Sequence, residues 1–203
     1  MITFSFPARQ LALCLSLLSV FSISIEAEED IATFAGGCFW CMESDFEKLD
    51  GVVSAVSGYI GGNVPNPSYK QVSSGTTGHT EAVQITFDNS IISFEQLLEH
   101  FWVNVDPEDA TGQFCDRGLQ YRSELFYHNE AQKRAALASL DKVVESGKLE
   151  TSVATEITLA TAFYVAEIYH QDYYKKSPTR YTYYRWNCGR DKRLEQLWGP
   201  KKQ

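Results

Sequence analysis

Two spacings of apolar residues alternate along the chain, one of two residues and one close to 3.6, and they predict strands and helices in turn. Strands are predicted at 31–35, 52–60, 81–87, 119–127 and 153–159, and helices at 38–49, 93–105 and 129–146. In the third predicted strand, Glu81 falls on the same side as the apolar residues. Ser93 and Gln96 have the capping-box spacing that begins a helix.

The order βαββαβ, followed by αβ, is that of the split βαβ unit, so we expect an α+β fold of the ferredoxin-like sandwich type with a C-terminal extension. Between the second and third strands the loop 61–78 is long and rich in Gly, Pro, Asn and Ser, which is typical of a functional loop. Beyond the last strand we expect a Tyr-rich helix at 163–176, an irregular tail that contains Cys188, and a final amphipathic turn at 191–198.

Composition and charge narrow the class of protein. With 203 residues, of which 44% are hydrophobic and 22% charged, the chain is long enough for one folded domain with a full core. The formal net charge is -8 and no basic stripe is visible in the sequence. We therefore expect no nucleic-acid partner, because a phosphate backbone would be repelled.

A signal peptide is predicted at 1–27, where Arg9 precedes the uncharged run Leu11–Ile25. The run is too short to span a bilayer comfortably, so we expect no stable membrane insertion once the segment is removed. The expected location is periplasmic or secreted, with a single domain at 28–203. If the segment is not a working signal, the expectation is a cytoplasmic protein.

Four cysteines lie outside that segment, and they leave three interpretations open: Cys38, Cys41, Cys115 and Cys188. Two structural disulfides would suit a non-catalytic binding protein in an oxidising compartment. Zinc fits less well, because Cys115 and Cys188 are single cysteines rather than a second pair. A thioredoxin-like disulfide exchanger also fits, since Cys38-x-x-Cys41 opens a predicted helix whose free N–H groups and dipole favour a thiolate at Cys38.

The run Gly36–Glu43 (GGCFWCME) resembles the GCFW active-site signature of the peptide methionine sulfoxide reductase A family. Further matches follow in order along the chain, at 58–62 (GYIGG), 78–83 (GHTEAV), 116–123 (DRGLQYRS) and 166–171 (AEIYHQ). The resemblance covers roughly residues 30–199. It implies a single catalytic domain that reduces the S epimer of methionine sulfoxide, free or in proteins, as repair of oxidative damage. It also implies a thioredoxin-like dithiol as reductant, a monomer, and no metal or organic cofactor.

The resemblance also implies a role for several residues of the matched runs. Cys38 would attack the sulfoxide sulfur, and Glu81 would donate a proton to the departing oxygen, since desolvation raises the pKa of a carboxyl. Tyr59 and Tyr121 would hold the sulfoxide oxygen through their hydroxyls. The structural alternative for Glu81 is a buried carboxyl satisfied by a backbone N–H or by Arg122.

Four more residues complete the site that the resemblance implies. Phe39 and Trp40 would enclose the substrate methyl group, and Asp116 would form a hydrogen bond near the entrance. The sulfenic acid left on the nucleophile needs a second thiol, and we expect Cys188 to supply it from a mobile tail. Cys41 is the alternative, because it lies one helical turn from the nucleophile. Cys115 is expected to be a buried thiol.

Overall fold

A six-stranded sheet runs through the structure, a computed structural model that describes residues 1–3 and 29–200. Its strands are β1 (Glu29–Gly36), β2 (Val52–Ile60), β3 (Thr80–Asp88), β6 (Ser123–Tyr127), β7 (Glu156–Leu159) and β8 (Tyr164–Val165), while β4 (Gly112–Gln113) and β5 (Asp116–Arg117) form a separate short hairpin. The sheet order is β7-β6-β1-β3-β2-β8, and only β6 and β7 pair in parallel. The α+β class is thus confirmed, with a mostly antiparallel central sheet.

Seven helices surround the sheet in the part of the chain that the structure describes: α1 (Phe39–Phe46), α2 (Tyr69–Ser73), α3 (Phe94–Trp102), α4 (Glu130–Glu145), α5 (Tyr173–Lys176), α6 (Pro178–Asn187) and α7 (Arg190–Trp198). The predicted capping box begins α3, where the Ser93 hydroxyl accepts the backbone N–H of Gln96 at 3.2 Å. The side chain of Asn129 caps α4 in the same way. The helices predicted from sequence in these two places are confirmed.

The main core lies between the sheet and the helices α1 and α3. Phe34 of β1 is at its centre, with its ring centroid 5.2 Å from that of Phe46 and 5.4 Å from that of Phe101. On β3 the predicted alternation holds, because Val83, Ile85 and Phe87 are all fully buried. Burial of these large side chains fixes α1 against the sheet, and the first turn of α1 holds the site described below.

The structure corrects several predicted boundaries. The strand predicted at 119–127 begins only at Ser123, because 119–121 form a 3-10 turn after Gly118, whose φ is 115°. The strand predicted at 153–159 likewise begins at Glu156. The first of these late starts reflects Gly118, which has a conformation that other residues rarely adopt.

The predicted organisation of the C-terminal region is wrong in two respects. The Tyr-rich helix expected at 163–176 is reduced to α5, and its start instead forms β8 at the edge of β2. The tail expected to be irregular contains α6, whereas the amphipathic turn predicted at 191–198 is present as the helix α7. Pro178 lies in the first turn of α6, and Gly189 at φ 71° separates the two helices. Proline at a helix start and glycine at a helix end are favoured positions, and here they outweigh the modest helix propensity of aromatic residues.

The predicted signal peptide lies almost wholly in residues 4–28, outside the described residues. Within residues 1–3 and 29–200, none of the helices has both the length and the apolar character needed to cross a membrane.

Candidate active site

The site is built where β1 turns into α1. Gly37 makes the turn at φ 82°, and a Cβ at this position would lie 2.6 Å from Cβ of Gln113, so the turn requires glycine. Cys38 follows as the N-cap residue of α1, and its side chain is only 6% exposed. The sequence therefore places one buried sulfur at the start of a helix.

A cavity of about 200 Å³ opens at this sulfur. This is smaller than the roughly 300 Å³ at which pockets for drug-sized ligands begin, and it suits a single side chain. Eight residues line it: Cys38, Phe39, Trp40, Tyr69, Glu81, Asp116, Tyr121 and Tyr184. All the predicted site residues except Tyr59 and Cys188 are among them.

Glu81 reaches the cavity from β3 and is 2% exposed. Its carboxylate accepts the backbone N–H of Phe39 at 3.1 Å, while Arg122 pairs with Glu124 instead. Burial raises the pKa of Glu81 well above its ordinary value, and the negative charge of Asp116 raises it further. The raised pKa favours the protonated form of this carboxyl, which is the form able to donate a proton.

The two free thiols of the described residues, Cys38 and Cys41, are hydrogen-bonded to each other. Burial raises the pKa of Cys38, and the bond to Cys41 raises it further. The same bond lowers the pKa of Cys41, and the charges of Arg190 and Arg185 lower it too. Burial of Cys38 therefore opposes the thiolate that the helix N-terminus was expected to favour.

Tyr59 does not reach the cavity. It is fully buried, and its hydroxyl donates to Glu167 at 2.8 Å. Tyr69, which begins α2 inside the loop 61–78, lines the cavity in its place, and its hydroxyl is hydrogen-bonded to that of Tyr121. Burial raises the pKa of Tyr69 to about 12 and raises that of Tyr121 as well, so both hydroxyls keep their protons.

The aromatic wall of the cavity is formed by Phe39 and Trp40 together with rings from the C-terminal helices. The indole of Trp40 stacks on Tyr173 with centroids 3.8 Å apart and meets the edge of Tyr184 at 5.7 Å. Its Nε1–H donates to Nδ1 of His170 at 3.1 Å. The wall is thus apolar, and it is held in place by Tyr173, Tyr184 and His170, which the sequence did not predict as part of the site.

Asp116 lies on the β4–β5 hairpin and faces the cavity from the opposite side. The hydroxyl of Tyr184 donates to its carboxylate, and the same hydroxyl lies within hydrogen-bonding reach of Cys38. Burial raises the pKa of Asp116, an effect that the bond from Tyr184 partly offsets. The entrance residue expected from the motif is therefore present and connected to the nucleophile.

Comparison with known proteins identifies the family of the chain. The family model described as peptide methionine sulfoxide reductase matches residues 30–202. The chain belongs to the peptide methionine sulfoxide reductase family. It is 52% identical over 174 residues to the peptide methionine sulfoxide reductase MsrA of Bacillus licheniformis, a match that covers 86% of this chain and 96% of that protein.

Solved structures of the same family share the fold. Mxr1 of Saccharomyces cerevisiae in its reduced form superposes with a TM-score of 0.69 at 32% identity, covering 74% of this chain and 86% of that one. Methionine sulfoxide reductase A of Corynebacterium diphtheriae gives a TM-score of 0.68 at 29% identity, covering 75% and 77%. Family membership and structural likeness therefore agree over the same part of the chain.

The remaining two cysteines of this reductase depart from the prediction. Cys115 and Cys188 form a disulfide with an S–S distance of 2.03 Å, and Cys115 is exposed, so its prediction as a buried thiol is wrong. Cys188 can reach Cys38 only after that bond opens, whereas Cys41 is already beside it. The assignment of Cys188 as the resolving thiol stays a prediction.

Metal binding has little support among the described residues. The one cluster there with metal-like spacing contains Cys115, Asp116 and Cys188, whose ligand atoms lie within 4.8 Å of one another. Both sulfurs of the cluster are in the disulfide, which leaves a single carboxylate. The cavity itself is lined by one thiol together with tyrosine hydroxyls and two carboxyls.

Three functional positions were missed from the sequence. Tyr69 and Tyr184 line the cavity but belong to none of the matched runs, and His170 lies in a matched run to which no role was given. The length and composition of the loop 61–78 were the one signal that pointed toward Tyr69. Nothing in the Tyr-rich tail distinguishes Tyr184 from its neighbours.

Proposed function

We propose that this reductase removes oxygen from the S epimer of methionine sulfoxide, free or in proteins, by attack of Cys38 on the sulfoxide sulfur. The observation that carries the proposal is the placement of Cys38 and Glu81 in the wall of one small cavity, where burial raises the pKa of the Glu81 carboxyl. A sulfur nucleophile and a proton donor are the two groups that this reaction requires.

The oxygen passes from the substrate sulfur to Cys38. The thiol Cys38–SH and the sulfoxide become the sulfenic acid Cys38–SOH and methionine, so the substrate gains two electrons and the cysteine loses them. Glu81 protonates the oxygen as the S–O bond breaks, and the proton of the attacking thiol replaces the one that Glu81 gives up. Burial raises the pKa of Cys38, so the thiol proton leaves as substrate reacts.

The hydroxyls of Tyr69 and Tyr121 are placed to bind the sulfoxide oxygen, which carries the negative end of the S–O dipole. Both hydroxyls keep their protons, since burial raises the pKa of each, and both line the cavity. Donors fixed before the reaction stabilise developing charge without reorganisation. Phe39 and Trp40 supply the apolar wall against which the methyl group packs.

Cys41 is the resolving thiol that the geometry favours. It is hydrogen-bonded to Cys38 and has a lowered pKa, and both features favour its attack on a sulfenic acid. The S–S bond forms as the S–O bond breaks, and the leaving oxygen departs as water. Cys188 is the second possibility, and it requires prior opening of its bond to Cys115.

The disulfide is reduced by a thioredoxin-like dithiol, which delivers two electrons by exchange. Yeast Mxr1 has been solved in complex with Trx2, and this supports such a partner for its relative. Cys115 is an exposed residue, which favours access of an external dithiol to the second disulfide. We propose that this reductase acts as a monomer.

A ferredoxin-like arrangement is the finer description that we propose for the fold. The inner strands lie in the order β6-β1-β3-β2 with antiparallel neighbours, and this supports the split βαβ unit. We also propose export, on the basis of the uncharged run Leu11–Ile25 after Arg9. Sequencing the N-terminus of the protein from the periplasmic or secreted fraction tests it, and an intact Met1 in the cytosol would contradict it.

The test of the function is reduction of separated S and R methionine sulfoxide peptides with dithiothreitol as reductant. Wild type is expected to reduce the S epimer, and Cys38→Ser is expected to be inactive. Cys115→Ser is the matched control, because it removes a sulfur outside the cavity. Reduction of insulin disulfides with no activity on either sulfoxide would instead indicate a disulfide exchanger.

A further inference from the structure

The side chain of Arg190, the first residue of α7, is buried behind the turn between β1 and α1, and it is only 1% exposed. Its guanidinium donates to the carbonyl oxygen of Gly36 at 3.0 Å and contacts Sδ of Met42 at 3.2 Å. A third bond, at 2.6 Å, goes to the carbonyl oxygen of Asn104 just beyond α3. One arginine therefore ties the C-terminal helix to the segment that carries both free thiols of the described residues.

The charge of this guanidinium is not neutralised by a bonded carboxylate of the described chain. Its hydrogen bonds end on neutral acceptors, and its Nε has no hydrogen-bond partner within residues 1–3 and 29–200. Among those residues the one carboxylate as close as 4.0 Å belongs to Asp45. Burial of an unpaired charge is costly, so the stability of the fold does not by itself explain an arginine here. Departures of this kind occur at functional sites.

Cys41 is the thiol that lies beside this charge. It directly precedes Met42 in α1 and is 2% exposed. The ionisable groups that act on it come from α1, α6, α7 and β3: Cys38, Asp45, Tyr181, Arg185, Arg190 and Glu81. The hydrogen bond with Cys38 lowers the pKa of Cys41, burial opposes this effect, and the charges of Arg190 and Arg185 lower the pKa further.

Arg185 differs from Arg190 in its pairing. Its guanidinium pairs with Asp45 at 2.9 Å and with Asp191 at 2.7 Å. Because two carboxylates neutralise Arg185, the charge left to act on the thiol is that of Arg190. A thiolate at Cys41 would in turn supply the anion that Arg190 lacks.

We propose that Arg190 is a positioning residue for the second step of the reaction: its buried positive charge promotes attack of Cys41 on the sulfenic acid of Cys38. The inference rests on the proposed function, in which Cys41 is the resolving thiol. In this step the S–S bond forms as the S–O bond breaks. The departing hydroxide takes up the proton that Cys41 lost, so the product is water. Arg190 does not line the cavity, and it acts through Cys41.

Two variants separate the charge of Arg190 from its hydrogen bonds. Arg190→Gln removes the charge but leaves an amide that can donate a hydrogen bond. Arg190→Lys keeps the charge and loses the planar fork that bonds two carbonyl groups at once. Arg193→Gln is the matched control, because it removes a positive charge from the same helix at a side chain that is 41% exposed and pairs with Asp106.

Each protein is reacted once with one equivalent of an S-sulfoxide peptide, without added reductant, across a range of pH. Released methionine measures the first step, and peptide mapping after alkylation of the remaining thiols measures the bond between Cys38 and Cys41. For Arg190→Gln we expect methionine release to change little, because the guanidinium does not line the cavity. Disulfide formation near neutral pH should slow about threefold to tenfold, the effect of a roughly tenfold smaller thiolate fraction that is partly offset by the greater nucleophilicity of a less acidic thiol.

The pH profile separates the charge from the packing. The rate of disulfide formation in Arg190→Gln should recover at alkaline pH, where Cys41 ionises without help. Arg190→Lys and Arg193→Gln should follow the wild-type profile. The Cβ resonance of Cys41 in a carbon NMR spectrum, assigned by its loss in Cys41→Ser, gives a readout that is independent of activity. It should titrate at higher pH in Arg190→Gln than in wild type.

A wild-type rate of disulfide formation in folded Arg190→Gln would overturn the inference, and so would an unmoved titration of the Cys41 resonance. Equal slowing in Arg190→Gln and Arg190→Lys would also contradict it, because loss of hydrogen bonds would then explain the effect. If Arg190→Gln does not fold, Arg190→Lys carries the test, and a higher titration midpoint of Cys41 in that variant would overturn the inference. If wild type reduces no sulfoxide at all, the proposed function fails, while the resonance still tests the influence of Arg190 on Cys41.

Discussion

Replacing Glu81 with Gln removes the proposed proton donor while keeping most of its structural contacts. Glu81 is 2% exposed and accepts the N–H of Phe39 at 3.1 Å, and an amide oxygen can accept the same bond. We expect Glu81→Gln to fold and bind substrate. The raised pKa means that folding favours the protonated carboxyl. The free energy of unfolding of wild type should therefore fall as the pH rises from 4.5, the ordinary pKa of a glutamate, through the higher pKa of Glu81 in the folded protein. The variant should lack that loss.

The effect on the reaction should be large. General acid catalysis contributes about a hundredfold to ten-thousandfold, which is roughly 3 to 5 kcal/mol of transition-state stabilisation. The loss should appear in the rate of the chemical step, with KM little changed, because the amide can still donate a hydrogen bond to the sulfoxide oxygen. An amide cannot transfer its proton as the S–O bond breaks.

The assay is single-turnover formation of methionine from the S-sulfoxide peptide, without added reductant, across a range of pH. A carboxyl donates only while it is protonated, so the wild-type rate should fall as the pH rises through the raised pKa of Glu81. The Glu81→Gln rate should be low and should lack that alkaline fall. A variant within about threefold of wild type, against the hundredfold minimum expected of a general acid, would refute the reasoning.

Three further outcomes are expected. Tyr69→Phe should lower kcat by about a hundredfold or more, which is the range for losing one oxyanion donor. Tyr59→Phe should leave kcat nearly unchanged, and steady-state kinetics measures both variants. With a thioredoxin-type reductant, Cys41→Ser should release one methionine and then stop, while Cys188→Ser should continue to turn over. Peptide mapping of the disulfides shows whether Cys41 or Cys188 forms the bond with Cys38. Gly37→Ala should lower the free energy of unfolding by about 1–3 kcal/mol, measured by urea titration, and an unchanged value would contradict the need for glycine at φ 82°.

Much of the site could be predicted because its residues lie in short runs whose local geometry is fixed. The turn Gly36–Cys38 and the start of α1 place the sulfur, and the alternation of side chains along β3 places Glu81 on the same side as Val83 and Ile85. Phe39 and Trp40 follow the sulfur directly. In each of these positions the neighbours in the sequence are also the neighbours that determine the structure.

Tyr59 shows where this reasoning fails. The family resemblance implied that Tyr59 holds the sulfoxide oxygen, and in the structure Tyr59 does pair with Glu81 across β2 and β3. Its hydroxyl, however, lies at the far end of a long side chain, and its destination is Glu167, which is 108 residues away. Tyr69 lines the cavity instead, and it lies in a loop that no periodicity of the sequence describes.

The cysteine pairing depended in the same way on distant contacts. Four cysteines allow three pairings, and sequence spacing does not choose among them. Cys115 and Cys188 meet because the β4–β5 hairpin and the end of α6 pack together, which brings their Cα atoms to 4.9 Å. That contact depends on a helix of the tail that the aromatic composition of this region did not predict.

Transfer of oxygen to Cys38 is the central claim, and a labelled substrate tests it most directly. Cys41→Ser is reacted once with an S-sulfoxide peptide that contains heavy oxygen, and the protein is then digested and its cysteines are analysed by mass spectrometry. We predict a sulfenic acid on Cys38 that contains the heavy oxygen, together with one released methionine for each protein chain. Methionine formed without the label on Cys38, or with the label on another cysteine, would contradict the account.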